Sequence, residues 1–329
     1  MIEKINYVLS KSHGKKIIHT DYKIQKLHGG DVGDVQLITG IAETTNGEKF
    51  PYKLVLKIQK KWERYGDVSS WRREYDLYAS DFSTVFSDLL SWPKCYHAEI
   101  NGDVTQIWME FIEGLSGNDL TIEMLEHTAR ELGRFQGKLF KENPASLSNI
   151  SNLGKTDFMK NDYNQWDHQT VEYQYIRSLN CEIPQHLCQM LIDMDNEAET
   201  VFEKISNLPV VLCHRDLWLE NIFYTNGKSY LIDWDTSGWG FMGEDIASLI
   251  VDETDSDYLV EYYGKLVPAY YKGISEYVDI SLIDDDYIWE MILLKFGYRI
   301  VGYYMFAKSP EAKKEQINAL QKIYEMQSI

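Results

Sequence analysis

The sequence has few cysteines, and their arrangement argues against a zinc site. Its four cysteines, Cys95, Cys181, Cys188 and Cys213, include no CxxC pair and have no histidine-rich tract beside them. Structural zinc sites use closely spaced pairs of Cys and His ligands. We therefore interpret these residues as reduced thiols that are mostly buried.

The sequence also lacks a long apolar run. No stretch approaches the roughly 20 apolar residues that a membrane-spanning helix needs, and the opening residues MIEK do not begin an apolar signal segment. We expect a cytoplasmic protein that makes no membrane contact.

Positive charge is scarce as well. The chain has 33 Lys and Arg residues against 51 Asp and Glu residues, which gives a formal net charge of -18 at pH 7. Nucleic acids and anionic lipids are bound by clustered Lys and Arg, so neither is an expected partner. A charged partner would be cationic, although excess carboxylate can also serve only to keep a protein soluble.

The 329 residues can form two domains of different character. Between residues 22 and 110, short alternating or β-branched runs predict a small sheet, and residues 68–82 carry the apolar spacing of one inserted helix. After Gly114, long segments such as 121–140 and 185–205 have the period of amphipathic helices. The exception is 210–235, which we interpret as a loop followed by a hairpin.

The segment from His214 to Asp233 carries the most informative spacing. An apolar strand leads to Asp216, Asn221 follows five residues later, and Asp233 comes after another apolar strand. Phosphoryl transfer needs an oriented hydroxyl and metal ions that neutralise phosphate charge. Asp216 can accept the hydroxyl proton, while Asn221 and Asp233 offer the hard oxygen ligands that magnesium prefers.

This segment resembles the aminoglycoside phosphotransferase and choline kinase-like family, which has a protein kinase-like fold. The likeness rests on His-x-Asp, the Asn five residues later and the run from Ile232 to Asp235. It implies an α+β bilobal fold, with a small β-sheet N-lobe that has one inserted helix and a larger, mostly helical C-lobe. It also implies that Asp216 is the catalytic base, that Asn221 and Asp233 bind Mg²⁺, and that His214 supports the catalytic loop.

The family resemblance implies a nucleotide site upstream. Lys57 ends an apolar strand where the family places its phosphate-binding lysine, and Glu74 lies on the inserted helix that would fix this lysine. The loop around Gly30 lets backbone amides approach phosphate oxygens. The absence of GxxxxGK[ST] disfavours a P-loop NTPase.

The resemblance also places a hinge and a supporting acid. The carbonyl of Glu110 and the amide of Ile112 would bind the adenine edge, which divides the chain into a nucleotide-binding lobe, 1–112, and an acceptor lobe, 113–329. Asp245 would support the catalytic loop. Asp245 comes only twelve positions after Asp233, which leaves no room for a long activation segment and favours a small-molecule acceptor over a protein.

The expected activity is therefore a magnesium-dependent transfer of the γ-phosphoryl of ATP, with GTP left open, to a hydroxyl of an aminoglycoside, amino alcohol or sugar derivative. Trp218 offers an aromatic face near Asp216 that could bind an ammonium group. Glu253 lies in an acidic region whose counterpart in antibiotic kinases binds substrate amines. This region could therefore bind a cationic acceptor, or it could be only a solvated acidic surface. The alternative is a catalytically silent pseudokinase that binds nucleotide or a partner protein. The oligomeric state is undetermined.

Overall fold

The computed structural model describes residues 1–27, 33–62, 67–80, 82–143, 150, 152–165, 167–281 and 287–329. Within these residues, the N-terminal part contains an antiparallel sheet with the order β1-β3-β4-β7-β6, and β2 pairs with the middle of β3, residues 36–39. Its strands are β1 (Ile17–Thr20), β2 (Lys23–Lys26), β3 (Gly33–Thr44), β4 (Lys49–Lys60), β6 (Cys95–Asn101) and β7 (Val104–Glu110), and the short β5 (Leu90–Ser91) precedes β6.

The central strand β4 forms because buried and exposed side chains alternate along most of its length. Leu54 and Leu56 point to the same face and are 2% and 1% exposed. They pack with Trp108 of β7 and with Ile38 of β3 in one apolar cluster. The buried face fixes the pairing register, because a slip of one residue would turn these side chains towards solvent. In that register Lys57 lies opposite Ile107.

Two helices belong to this sheet, and the sequence predicted one of them. Helix α2 (Ser70–Ala79) is the expected inserted helix. Helix α1 (Ile2–His13) was not predicted; its buried Ile5, Val8 and Leu9 join the apolar cluster of the sheet, and it ends at Gly14 with φ 67°. Glycine adopts this left-handed conformation without a steric penalty.

The later part of the chain is mostly helical, as the sequence predicted. Its helices are α3 (Ile122–Glu142), α4 (Phe158–Gln165), α5 (Asp167–Ile176), α6 (Gln185–Ile205), α7 (Glu244–Val251), α8 (Leu259–Ile274), α9 (Tyr287–Ile292), α10 (Tyr298–Phe306) and α11 (Pro310–Met326), and a π-helical turn (Leu293–Gly297) joins α9 to α10. Its short strands are β8 (Leu115–Ser116), β9 (Val210–Cys213), β10 (Ile222–Thr225), β11 (Lys228–Leu231) and β12 (Gly238–Phe241).

Helices α3 and α8 approach each other through glycines. A Cβ atom on Gly273 would collide with the carbonyl oxygen of Arg130, and one on Gly133 would collide with that of Tyr270. Small residues allow this close backbone approach, and Gln136 on the buried face of α3 donates to the carbonyl of Leu212 in β9.

The chain divides into two units. The N-terminal unit contains Met1–Gly114, Ile150, Asn152 and Tyr230–Thr236, and the C-terminal unit contains the remaining described residues from Leu115 onwards. The predicted α+β class is confirmed, with the sheet in the first unit and most helices in the second. Among the described residues, no helix is long and apolar enough to span a membrane. The assignment of nucleotide and acceptor roles to residues 1–112 and 113–329 remains a prediction.

Candidate active site

The N-terminal unit brings three of the predicted residues together. The ammonium of Lys57 lies 2.5 Å from Oε2 of Glu74 and 2.6 Å from Oδ1 of Asp233. Strand β4 supplies the lysine, α2 supplies the glutamate, and the residues after β11 supply the aspartate. Pairing of Lys57 with Glu74 was predicted from the sequence, whereas its contact with Asp233 was not.

This cluster is ionic and largely dehydrated. The side chains of Lys57 and Glu74 are 11% and 2% exposed, while that of Asp233 is 27% exposed. Burial lowers the pKa of Lys57, but the neighbouring carboxylates of Asp233 and Glu74 more than offset it and raise the pKa above its ordinary value. Burial raises the pKa of Glu74, and the Lys57 ammonium opposes that rise. The lysine is therefore a fixed positive charge near neutral pH.

The segment that carries Asp233 is fixed by the apolar packing of Trp234 and by a hydrogen bond from Arg73. Trp234 is fully buried, packs edge-on against Phe82, and donates from Nε1 to the carbonyl of Leu231 at 3.0 Å. Arg73 of α2 donates to the carbonyl of Asp235 at 3.0 Å. Because Trp234 is fully buried, it has no open face for a ligand. The contacts of Trp234 and Arg73 position Asp233, whose φ of 64° is unusual for a non-glycine residue.

The C-terminal unit brings Asp216 and Asn221 together. Strand β9 ends at Cys213, and a single 3₁₀ turn, Leu219–Asn221, brings the asparagine back to the aspartate. Nδ2 of Asn221 donates to the carbonyl of Asp216 at 2.7 Å and to its Oδ2 at 3.1 Å. Asp216 is half-buried, so the contact orients one carboxylate oxygen and leaves the side chain accessible.

Asp245 supports the same loop from the first turn of α7. Its Oδ2 accepts from the backbone N–H of His214 and its Oδ1 from that of Arg215, each at 2.8 Å. Gln136 of α3 also donates to Oδ2, at 2.9 Å. A carboxylate that satisfies two consecutive buried amides holds the backbone before Asp216, and this is the geometry that the predicted structural role requires.

The two predicted metal ligands offer donor atoms that suit magnesium. Because the amide nitrogen of Asn221 is engaged by Asp216, its oxygen is the atom left to ligate a cation. Asp233 presents a carboxylate that remains partly exposed while it pairs with Lys57. Magnesium is usually bound by one or two carboxylates together with substrate phosphates, so both residues fit this ion by donor type.

The other predicted nucleotide contacts stay predictions. Gly30 lies outside the described residues. Glu110 is the last residue of β7, its amide donates to the carbonyl of Lys94 at 2.9 Å, and Ile112 is buried two residues later. The carbonyl of Glu110 and the amide of Ile112 lie where the chain leaves the sheet, as the hinge assignment assumed.

A cavity of about 780 Å³ lies within the C-terminal unit. Its lining includes the predicted Glu253 and the adjacent Asp252. The predicted Trp218 is half-buried and is not among the lining residues, but the next residue, Leu219, is. Burial raises the pKa of Asp252, Lys295 and Arg299 oppose the rise, and the carboxylate of Asp216 adds to it. The lining also contains Asp255, Glu261, Glu315, Arg299, Tyr258, Tyr262, Phe296 and Tyr303.

Sequence comparison identifies the group to which the protein belongs. A sequence model of the phosphotransferase enzyme family, abbreviated APH, matches residues 44–277, a range that contains Lys57, Asp216 and Asp233. The chain belongs to this family. Its predicted phosphotransferase character is thereby confirmed at the level of the family. A comparison with curated proteins found no match.

Solved structures of other phosphotransferases share the fold at low sequence identity. An aminoglycoside phosphotransferase from Alicyclobacillus acidocaldarius has a TM-score of 0.56 and 16% identity, with 93% of this chain and 90% of that chain covered. A choline kinase from Cryptosporidium parvum has a TM-score of 0.53 and 18% identity over 93% and 90%. An amicoumacin kinase in complex with AMP-PNP and Ca²⁺ has a TM-score of 0.54 and 14% identity over 99% and 96%. These likenesses confirm the predicted kinase-like fold.

Proposed function

We propose that the protein transfers the γ-phosphoryl group of ATP to a hydroxyl of a cationic small molecule, with Mg²⁺ as the metal. When bound, MgATP supplies the phosphoryl group and the metal charge that the transfer needs. GTP remains an open alternative as the donor. The observation that carries the proposal is the Asp216–Asn221 contact, because it orients a carboxylate and leaves an amide oxygen directed away from it.

In this proposal each cluster has one task. Asp216 accepts the proton of the acceptor hydroxyl while that oxygen bonds to the γ-phosphorus and the bond between this phosphorus and the bridging oxygen of ADP breaks. Asn221 and Asp233 ligate Mg²⁺. Lys57, kept charged by its two carboxylate neighbours, binds the nucleotide phosphates, and Glu74 holds it in place. Gly30, Glu110 and Ile112 would complete the nucleotide contacts through backbone groups.

The cavity of the C-terminal unit supports a cationic acceptor. Its volume falls in the usual range for small-molecule sites. Among its described lining residues, acids outnumber basic residues five to one, and four aromatic rings, those of Tyr258, Tyr262, Phe296 and Tyr303, accompany them. Carboxylates and aromatic faces both bind ammonium groups. Within this site, Asp252 and Glu253 would bind an acceptor amine, and Trp218 remains a candidate contact beside the catalytic loop.

The test is ADP release from ATP and Mg²⁺ with a panel of aminoglycosides, choline-like amino alcohols and simple sugars. We expect turnover with an amine-bearing acceptor, and we expect Asp216→Asn to lower kcat by about 100-fold or more, the size of a general-base contribution. Asp257→Asn, which alters an exposed acid of the same unit, is the matched control and should retain full activity. Unchanged turnover in Asp216→Asn would refute the assignment.

A further inference from the structure

Arg215, the residue before Asp216, has an unusual backbone conformation. Its φ is 70°, in the left-handed region that non-glycine residues rarely adopt. Such a conformation persists only where surrounding contacts enforce it, and it occurs often at functional sites. The contacts around Arg215 therefore determine how Asp216 is presented.

Contacts to both its backbone amide and its side chain hold Arg215 in place. Its backbone amide donates to Asp245, as described above. Its guanidinium donates to the carbonyls of Lys155 and Trp239 and lies over the ring of Phe158 at 4.5 Å. These contacts fix the amide and the side chain, but they leave the carbonyl of the peptide that joins Arg215 to Asp216.

Lys295 reaches that carbonyl. Its Nζ lies 3.5 Å from the carbonyl oxygen of Arg215 and donates to the hydroxyl of Ser248, a fully buried residue of α7. Lys295 is the central residue of the π-helical turn Leu293–Gly297. Single π-helical turns are rare and are often found at functional sites, because the wider turn redirects side chains.

Lys295 lies in a region of buried acids. Its ammonium opposes the burial-driven rise in the pKa of both Glu244 and Asp252. The segment DLWLEN, from Asp216 to Asn221, contains no Lys or Arg. The guanidinium of Arg215 is directed to the carbonyls of Lys155 and Trp239, whereas the ammonium of Lys295 lies 3.5 Å from the carbonyl oxygen of Arg215.

We propose that Lys295 is a positioning residue for Asp216, which fixes the Arg215–Asp216 peptide through its carbonyl and thereby sets the direction of the catalytic carboxylate. This role rests on the proposed function of Asp216. Loss of the ammonium lets the peptide rotate, and a small displacement of a reacting group is enough to slow a transfer strongly. Lys295 does not contact the reacting atoms in this proposal.

The experiment compares Lys295→Met with Lys265→Met in the full chain. Lys265 lies on α8 and makes a half-exposed ion pair with Glu126 at 3.9 Å, so its replacement controls for loss of a lysine in the same unit. For Lys295→Met we expect kcat to fall about tenfold or more with the KM for ATP within about twofold, because orientation is affected and nucleotide binding is not. We also expect amide hydrogen exchange in residues 212–221 of the folded variant to accelerate about tenfold. Lys265→Met should change none of these.

Two further variants keep the test decisive if Lys295→Met folds poorly. Ser248→Ala removes the hydroxyl that holds the ammonium and should give a smaller change in the same direction. Lys295→Ala should regain part of its kcat when propylammonium is added, which a purely structural defect would not allow. Unaltered exchange in residues 212–221, or loss of kcat in proportion to unfolded protein, would overturn the proposal. Exchange is measured without turnover, so this outcome is separate from a failure of Asp216→Asn to reduce activity.

Discussion

Replacing Lys57 with methionine tests whether the buried cluster of the N-terminal unit depends on one cation. Methionine keeps most of the volume of the side chain, so the main change is the loss of charge. Glu74 is 2% exposed and would become an unpaired buried carboxylate, whereas Asp233, at 27% exposed, can regain hydration. Removing one partner of a buried ion pair typically costs about 3–5 kcal/mol, and we expect Lys57→Met to lower the free energy of unfolding by that amount.

The assay is urea unfolding at pH 7, followed by tryptophan fluorescence and far-UV circular dichroism. Lys53→Met is the matched control, because Lys53 lies on the same strand and pairs with Glu113 at the surface, where an ion pair contributes about 0–1 kcal/mol. Lys57→Met/Glu74→Gln removes both charges and should return to within about 2 kcal/mol of the unaltered protein. Equal costs for Lys57→Met and Lys53→Met would refute the reasoning.

The stability deficit of Lys57→Met should also depend on pH. Without its cation, Glu74 has a folded-state pKa above its unfolded value, so the folded state binds more protons in the range between the two. Stability of the variant therefore increases as the pH falls through the folded pKa towards the unfolded one. The deficit relative to the unaltered protein should shrink from pH 7 to pH 5 in the same urea experiment.

Two other predictions concern packing and thiol chemistry. Gly273→Ala should destabilise the protein by about 2 kcal/mol or more, since the added Cβ collides with the carbonyl of Arg130, and an unchanged melting temperature would contradict this contact. Burial raises the pKa of Cys95 to about 11 and that of Cys188 to about 12. At pH 8 only about one Cys95 thiol in a thousand is then ionised, so iodoacetamide should modify Cys95 much more slowly in the native protein than in the urea-unfolded protein, as peptide mapping can show. Equal rates of Cys95 modification in the native and the unfolded protein would refute the effect of burial.

Much of the fold follows from local patterns in the sequence. Strand β4, helix α2 and the long helices α3 and α6 have clear periodicity. The spacing of Asp216 and Asn221 singled out both residues, but their hydrogen bond to each other was not predicted. Helix α1 was missed because it buries only Ile5, Val8 and Leu9 through its length and has no side-chain N-cap.

The remaining features depend on residues far apart in the sequence. The contact of Lys57 with Asp233 spans 176 positions, and that of Lys295 with the carbonyl of Arg215 spans 80. A π-helical turn has no simple sequence signature, so the sequence alone does not distinguish Lys295 from an ordinary surface lysine of a helix. The sequence showed that the residues near Glu253 are acidic. It could not show which of them line a cavity, because several separate segments of the chain form that cavity.

The route of the chain limits how this enzyme can be divided. Residues Tyr230–Thr236 belong to the N-terminal unit although they follow more than a hundred residues of the C-terminal one. A fragment that ends at Gly114 would keep Lys57 and Glu74 but would lack Asp233 and the tryptophan that packs beneath it. The N-terminal unit therefore cannot be exchanged as one contiguous module between relatives, and a chimera that keeps this unit intact must also carry Tyr230–Thr236.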